Sequence, residues 1–85
     1  MNVYMVSEYN RTFDEFKDLV EESQTEVGAW VSGYELVKVN DHKSILLMNV
    51  TDMDALGAFM TTPEMKQWDK ENGCVDIVCS MERIN

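Results

Sequence analysis

Apolar residues recur with the spacing of β-strands in four segments of the chain. The predicted strands are Asn2–Ser7, Ala29–Val39, Ser44–Val50 and Cys74–Glu82. The third contains the continuous apolar run Ile45–Met48, which is typical of a central strand covered on both faces. Alternation in the last strand produces one wholly apolar face, which we expect to pack against the helices. Its residues are Val75, Ile77, Cys79 and Met81.

Helical patterns separate these strands, and each has a recognisable beginning. The segment Thr12–Glu15 matches the capping box that begins many helices, and the apolar spacing after it predicts a helix that ends near Glu26. Thr51 or Asp52 can cap a second helix. The only proline interrupts that helix because it has no backbone N–H. Since proline suits the first position of a helix, we predict that a new helix runs over Pro63–Glu71.

The predicted order of elements is βαββαβ, which is the ferredoxin-like arrangement of the α+β class. Right-handed crossovers place both helices on one face of a four-stranded antiparallel sheet. We expect residues 1–85 to form a single domain, because 85 residues leave no length for a second. A domain of this size buries only about 60 % of the surface of its unfolded chain, so added burial through assembly would stabilise it.

The face of the sheet turned away from the helices is also expected to be apolar. The residues available to it include Tyr4, Val6, Ile45, Leu47 and Val78. An apolar surface of this extent usually marks an interface, and a twofold dimer covers it with the same patch of a second chain. We therefore predict a homodimer, with Ile45, Leu47 and Val78 as candidate residues of the dimer face.

The second helical region resembles a recurring motif of a known superfamily. Pro63-Glu64 followed by an aromatic residue at Trp68 is similar to the Pro-Glu/His-x-x-x-aromatic break of the dimeric α+β barrel superfamily. That superfamily includes antibiotic-biosynthesis monooxygenases, stress-responsive barrel proteins and muconolactone isomerases, and this chain is most similar in pattern to its small marine bacterial members of unassigned function. Through the order of elements the resemblance covers nearly the whole chain, and it implies a dimeric barrel.

The resemblance also implies a cleft between the sheet and the helices. Cofactor-independent monooxygenases of the superfamily use a few polar and aromatic cleft residues, and Trp68 is in place for one of them. The haem-degrading branch adds a histidine on the second helix, whereas this sequence has none between residues 52 and 73. The candidate cleft residues are Tyr4, Tyr34, Asn49 and Trp68. Alternation alone does not decide which sheet face the first three, or Trp30, occupy.

The charge of the chain bears on its partners. Seven Lys and Arg residues against 16 Asp and Glu residues leave a formal net charge of −9. Such a surface repels nucleic-acid phosphates and anionic lipids, and no apolar run approaches the roughly 18 residues of a membrane helix. The N-terminal residues read as a strand rather than a signal peptide. We therefore expect a cytoplasmic protein that binds neither nucleic acid nor membrane.

Other chemistry receives little support from the residue types and their spacing. The only histidine, His42, lies in a predicted hairpin turn without a second ligand nearby. Cys74 and Cys79 are five residues apart in a predicted strand, so they point to opposite faces and should not form a disulfide. Asp52 and Asp54 suit a helix beginning rather than a catalytic pair. We predict no catalytic residue, metal site or cofactor from this sequence.

Two hypotheses about function follow from these predictions. The leading one is a non-catalytic, homodimeric binding or structural protein for a small hydrophobic ligand, because the predicted helix-facing side of the last strand lacks polar groups. The alternative is a cofactor-independent monooxygenase or isomerase that acts on a hydrophobic metabolite. The alternative requires a cleft that holds the aromatic residues together with a polar partner such as Asn49 or Asp76, and a solidly packed cleft would remove it.

Overall fold

The computed structural model describes residues 1–82 and residue 84, and within them the chain forms four strands and three helices. The strands are β1 (Val3–Glu8), β2 (Val31–Asn40), β3 (Lys43–Val50) and β4 (Val75–Ser80). The helices are α1 (Phe13–Val27), α2 (Met53–Met60) and α3 (Pro63–Asn72). Each predicted element is present, with its ends shifted by two residues or fewer. The ferredoxin-like α+β prediction is confirmed.

The four strands form one antiparallel sheet in the order β2-β3-β1-β4. Strand β1 lies between β3 and β4, so Met5 is paired with Leu46 on one side and with Val78 on the other. Residues paired directly across two strands point to the same face of the sheet. Met5 and Leu46 are buried beneath the helices, and this row therefore defines the helix-facing side.

Each helix begins at a side chain that binds the free N–H groups of its first turn. The Thr12 hydroxyl accepts from the Glu15 N–H at 3.3 Å, and the Glu15 carboxylate accepts from the Thr12 N–H at 3.5 Å, which confirms the capping box. Of the two caps predicted for α2, Asp52 is the one used, at 3.1 and 3.2 Å from two backbone N–H groups. Thr62 caps α3, with Pro63 in its first turn.

The hydrophobic core lies between the sheet and the helices, with Phe16 of α1 in an aromatic cluster. The ring of Phe16 is stacked on Tyr9, with centroids 4.5 Å apart, and tilted against Trp68 at 6.0 Å. Burying a large apolar side chain stabilises a fold by about 1.5–3 kcal/mol. The other buried apolar residues are Val3, Met5, Val20, Val27, Val31, Leu46, Met48, Val50 and Leu56.

Buried Asn72 joins the end of α3 to the loop between β1 and α1. Its carbonyl oxygen accepts from the Asn10 N–H at 2.8 Å, and its side-chain oxygen accepts from Nε of Arg11. Its side-chain Nδ2 donates to the carbonyl of Trp68 at 2.8 Å. The next residue, Gly73, ends the helix at φ 57°, a left-handed conformation that glycine adopts without steric strain. These bonds fix the C-terminal end of α3.

The opposite face of the sheet is apolar, as predicted. Tyr4 is paired with Leu47 and Val6 with Ile45, and all four side chains are half-buried on this face. Ile77 of β4 is paired with Val6 on the same face and is 58 % exposed. A continuous apolar surface therefore crosses β3, β1 and β4 and faces solvent in the single chain.

The predictions for β4 placed its residues on the wrong faces. Val78, a candidate for the dimer face, is paired with Met5 on the helix-facing side. Val75, Ile77 and Cys79, which we expected to face the helices, lie on the opposite face instead. Because both faces of this sheet carry apolar residues, the regular apolar alternation of β4 did not show which of its faces the helices cover. That alternation belongs to the face turned away from the helices.

The remaining sequence predictions concern isolated side chains. Cys74 and Cys79 are free thiols on opposite faces of the sheet, as predicted. His42 lies exposed in the β2–β3 turn, where its Nδ1 is 2.9 Å from the carbonyl oxygen of Arg11. None of the helices in the described part of the chain has the length and apolar character needed to cross a bilayer.

Candidate ligand-binding cleft

A narrow cleft of about 60 Å³ lies between the helix-facing side of the sheet and the helices. This volume holds a few water molecules. Its walls are almost entirely apolar, and they are built from α1, α2, α3 and the central strands. The aromatic and methionine side chains that line it include Trp30, Tyr34, Phe59, Met60, Met65 and Trp68.

Aromatic pairs hold the walls of the cleft in place. The Trp30 ring is tilted against Phe59, with centroids 5.8 Å apart, and Trp68 contacts Phe16 of the core. Trp30 is fixed by its backbone, because its N–H donates to the carbonyl of Val27 at 3.0 Å. Its carbonyl also accepts from the backbone N–H of the residue after β3 at 2.9 Å. Aromatic packing and backbone hydrogen bonds together therefore fix the position of the Trp30 wall.

Asp69, Cys74 and Asp76 lie together in the wall of the cleft, and this group is called its polar end. The left-handed Gly73 turns the chain back on α3, and the Cys74 N–H donates to the Asp69 carbonyl at 2.8 Å. Because alternate residues of a strand share a face, Asp76 then follows Cys74 on the helix-facing side. Sγ of Cys74 is 3.4 Å from Oδ1 of Asp76. The helix end and the strand beginning therefore bring three ionisable groups together.

Three hydroxyl groups lie beside this polar end. The Ser7 hydroxyl donates to Oδ1 of Asp76 at 2.5 Å, and Ser7 is paired with Ser44 on the neighbouring strand. Ser44 and Tyr9 are only 0 % and 4 % exposed, and their hydroxyls lie close enough to pair with each other. Buried polar groups are nearly always paired in folded proteins. Oδ1 of Asp69, in contrast, is buried without a hydrogen-bond partner among the described residues, which distinguishes the polar end from the rest of the core.

The polar end shifts the ionisation of its own groups. Burial, and then the charge of Asp76, raises the pKa of the Asp69 carboxyl above its usual value. Burial raises the pKa of the Cys74 thiol far above its usual range, and the nearby carboxylates add to this effect. Without a cation, the Cys74 thiol stays protonated at neutral pH and is a poor nucleophile. Asp69 holds a proton more readily than an exposed aspartate does.

The structure brings together only part of the predicted site. Tyr34 and Trp68 line the cleft. Tyr4 does not, because its pairing with Leu47 puts it on the opposite face of the sheet. Asn49 lies outside the cleft too: it is exposed, and its Nδ2 donates to the Ser32 hydroxyl. Alternation along a strand could not show which face of the sheet these residues occupy. The irregular pairing of β2 with β3 near Gly33 also makes the faces of β2 harder to predict.

Two residues of the polar end, Asp69 and Cys74, were not predicted as site residues from the sequence. Asp76 was predicted only as a possible polar partner. The signal was the spacing Asp-x-x-x-x-Cys-x-Asp across an Asn-Gly helix end. A helix that stops at Gly73 and is followed at once by a strand brings those positions together.

Comparison with solved structures finds chains that superpose over essentially all of this one. A candidate antibiotic biosynthesis monooxygenase from Deinococcus radiodurans has a TM-score of 0.62 at 8 % identity, with 100 % of this chain and 94 % of that chain covered. Another antibiotic biosynthesis monooxygenase has a TM-score of 0.63 at 15 % identity, with 100 % of both chains covered. Rv0793 from Mycobacterium tuberculosis has a TM-score of 0.58 at 12 % identity, with 99 % and 98 % covered.

The chain has the ferredoxin-like α+β fold of these three structures. The superpositions establish the fold, and the low identities leave the activity open. No protein-family model and no curated protein sequence matches the chain. Within this fold, the cleft and its polar end are therefore interpreted from their own residues.

Proposed function

We propose that the protein is a homodimer that binds a small, mostly apolar molecule in the cleft of each chain. The observation that carries this proposal is the composition of the cleft wall, in which aromatic and methionine side chains surround a space with polar groups at one end. Ligand sites commonly combine an apolar wall with a few polar groups that set orientation. A polar group of the ligand would point toward Asp69 and Asp76.

The size of the cleft limits the ligand and requires a movement. About 60 Å³ is far below the roughly 300–1,000 Å³ of sites for drug-sized molecules. Met60 and Met65 line the cleft on either side of the break between α2 and α3. Methionine side chains adapt readily to different shapes. Their displacement would widen the cleft for a ligand of one or two rings.

A fluorescent probe tests binding in the cleft. The neutral two-ring probe 6-propionyl-2-(dimethylamino)naphthalene is titrated into the protein, its fluorescence is followed, and Met60→Ala is compared with Met53→Ala. Met60 lines the cleft, so its truncation should tighten binding by about threefold or more by removing an obstruction. Met53 is 49 % exposed outside it, and its truncation should leave the Kd unchanged. Equal Kd values for both variants would reject the cleft as the binding site.

The homodimer is supported by the apolar face opposite the helices. That face carries the two predicted dimer residues Ile45 and Leu47 together with Ile77, and two such faces packed together would remove them from water. Light scattering after size exclusion should give the mass of a dimer at micromolar concentration. Ile77→Lys should yield monomers, whereas Met53→Lys, also at an exposed apolar position, should not. A wild-type monomer would overturn this part of the proposal.

A second candidate function is a cofactor-independent monooxygenase or isomerase that acts on a hydrophobic metabolite. Its support is the Asp69 carboxylate at the cleft, whose buried Oδ1 has no hydrogen-bond partner among the described residues. Such a group can remove a proton from an activated substrate. For the oxygenase, the test is dioxygen uptake with a naphthoquinol, corrected for autoxidation. Uptake that wild type supports and Asp69→Asn lacks would favour oxygenation, and no uptake would count against it.

A further inference from the structure

The polar end of the cleft contains the donor atoms of a metal site. One oxygen from each of Asp69 and Asp76 and Sγ of Cys74 all lie within 4.8 Å of one another. Ligand atoms around one tetrahedral ion are about 3.5 Å apart, given metal–ligand distances of about 2.0–2.3 Å. Small side-chain rotations would therefore bring these three atoms onto a single ion.

An unpaired buried oxygen within this group is an independent indication of a missing occupant. Oδ1 of Asp69 is buried and has no hydrogen-bond partner among the described residues. The buried hydroxyls of Tyr9 and Ser44 lie close enough to pair with each other, and Tyr9 is within electrostatic range of Cys74. A bound cation would supply a partner for the Asp69 oxygen. The Ser7 hydroxyl already holds Asp76 by a hydrogen bond, as residues behind metal ligands commonly do.

The carboxyl groups of Asp69 and Asp76 form no ion pair within the described part of the chain. Its ion pairs are Arg11–Glu15, Lys38–Asp41 and Lys43–Glu8. None involves Asp69 or Asp76. Two carboxylates held this close repel each other, most strongly where water is excluded. A divalent cation between them would turn this repulsion into attraction.

We infer that Asp69, Cys74 and Asp76 form a binding site for one divalent transition-metal ion, with Zn²⁺ the best match. A thiolate with two carboxylates suits Zn²⁺, which accepts both sulfur and oxygen. Mg²⁺ and Ca²⁺ prefer oxygen ligands alone. Three protein ligands leave a fourth position open toward the cleft, where water or a polar group of a bound molecule can enter the coordination sphere.

The metal site does not depend on the proposed apolar ligand, since the ion alone can be tested. It does compete with the second candidate function. A carboxylate of Asp69 bound to Zn²⁺ is not free to remove a proton from a substrate. Metal binding and proton removal by Asp69 therefore exclude each other at this residue.

Co²⁺ is the probe, because a thiolate bound to Co²⁺ produces a sulfur-to-metal charge-transfer absorption in the near ultraviolet. The full chain is freed of metal with a chelator, kept reduced with a phosphine, and titrated. Wild type should develop the band with one ion per chain, and Zn²⁺ should abolish it by displacement. Cys74→Ser should lack the band, whereas Cys79→Ser should retain it, because Cys79 is on the opposite face of the sheet.

Substitution of the two carboxylates gives a second test of the metal site in the same Co²⁺ titration. Asp69→Asn and Asp76→Asn should each weaken Co²⁺ binding by about tenfold or more, whereas Asp18→Asn, on the exposed surface of α1, should leave it unchanged. Far-UV circular dichroism verifies that each variant is folded. If Cys74→Ser does not fold, the Asp69 variant carries the test. Absence of the band in wild type, its persistence in folded Cys74→Ser, or its loss in folded Cys79→Ser would overturn the metal site.

Discussion

Phe16 provides the sharpest test of how the core supports the cleft. Its ring is 4 % exposed and lies between Tyr9 and the cleft residue Trp68. Removal of a buried phenylalanine ring costs about 3–5 kcal/mol, and each aromatic pair contributes about 0.5–1.5 kcal/mol beyond its area. The total stability of an 85-residue chain is about 4–13 kcal/mol. We therefore predict that Phe16→Ala removes about a quarter or more of the unfolding free energy.

Urea unfolding followed by circular dichroism measures this loss. Protein concentration must be held constant, because the proposed dimerisation would add to apparent stability by mass action. Phe13→Ala is the matched control, since Phe13 is on the same helix but only half-buried, with Nζ of Lys38 5.7 Å from its ring centroid. We expect that control to lose about 1 kcal/mol. Phe16→Leu, which keeps most of the volume, should also lose about 1 kcal/mol.

The outcome that would refute this reasoning is a small difference between the two alanine variants. If Phe16→Ala and Phe13→Ala agree within about 0.5 kcal/mol, Phe16 is not held between Tyr9 and Trp68 as described. The wall that Trp68 contributes to the cleft would then lack its support from α1.

Three further substitutions test local features of the fold. Asp69→Asn should raise stability at neutral pH in the presence of a chelator. Burial raises the pKa of Asp69 in the folded protein, so the wild type loses stability as pH rises from the unfolded pKa of this acid to its folded pKa. The gain in stability from Asp69→Asn should therefore vanish near pH 3, about a unit below the unfolded pKa. A gain independent of pH would contradict this. Thr12→Ala should cost about 1 kcal/mol in urea unfolding by removing the bond to Glu15, and an unchanged midpoint would argue against the cap. Gly73→Ala should cost about 1–2 kcal/mol because of its positive φ, and its added Cβ would meet Nδ2 of Asn10 at 2.6 Å; a neutral result in thermal unfolding would count against this conformation.

The order and limits of the elements could be predicted because their signals are local. The Thr12 capping box, the proline at residue 63 and the alternation of β1 act over a few residues, so the sequence contains the whole cause. The faces of β4 could not be predicted in the same way. Both sides of the sheet are apolar here, so alternation identified a face without showing what covers it.

The candidate site was predicted less completely because it depends on contacts between distant residues. Trp68 and Tyr34 line the cleft. The hydroxyls of Ser7 and Ser44 come to the polar end only through pairing between strands 37 residues apart in the chain. No spacing in the sequence shows that Ser7 would meet Asp76 across β1 and β4. Recognition of the polar end therefore required the three-dimensional register of the sheet.

The hydrogen bonds of Asn72 determine how the cleft can open. The C-terminal end of α3 is bonded to Asn10 and Arg11, so it cannot move outward unless the β1–α1 loop moves with it or those bonds break. The N-terminal end of the same helix follows a two-residue break after α2 at Thr61-Thr62. Helix α3 is thus tied to the β1–α1 loop at its C-terminal end, whereas at its N-terminal end Thr62 is bonded to Phe59 of α2. Widening of the cleft at Met60 and Met65 would therefore move α2 and α3 together, while the spacing of the two carboxylates stays constant.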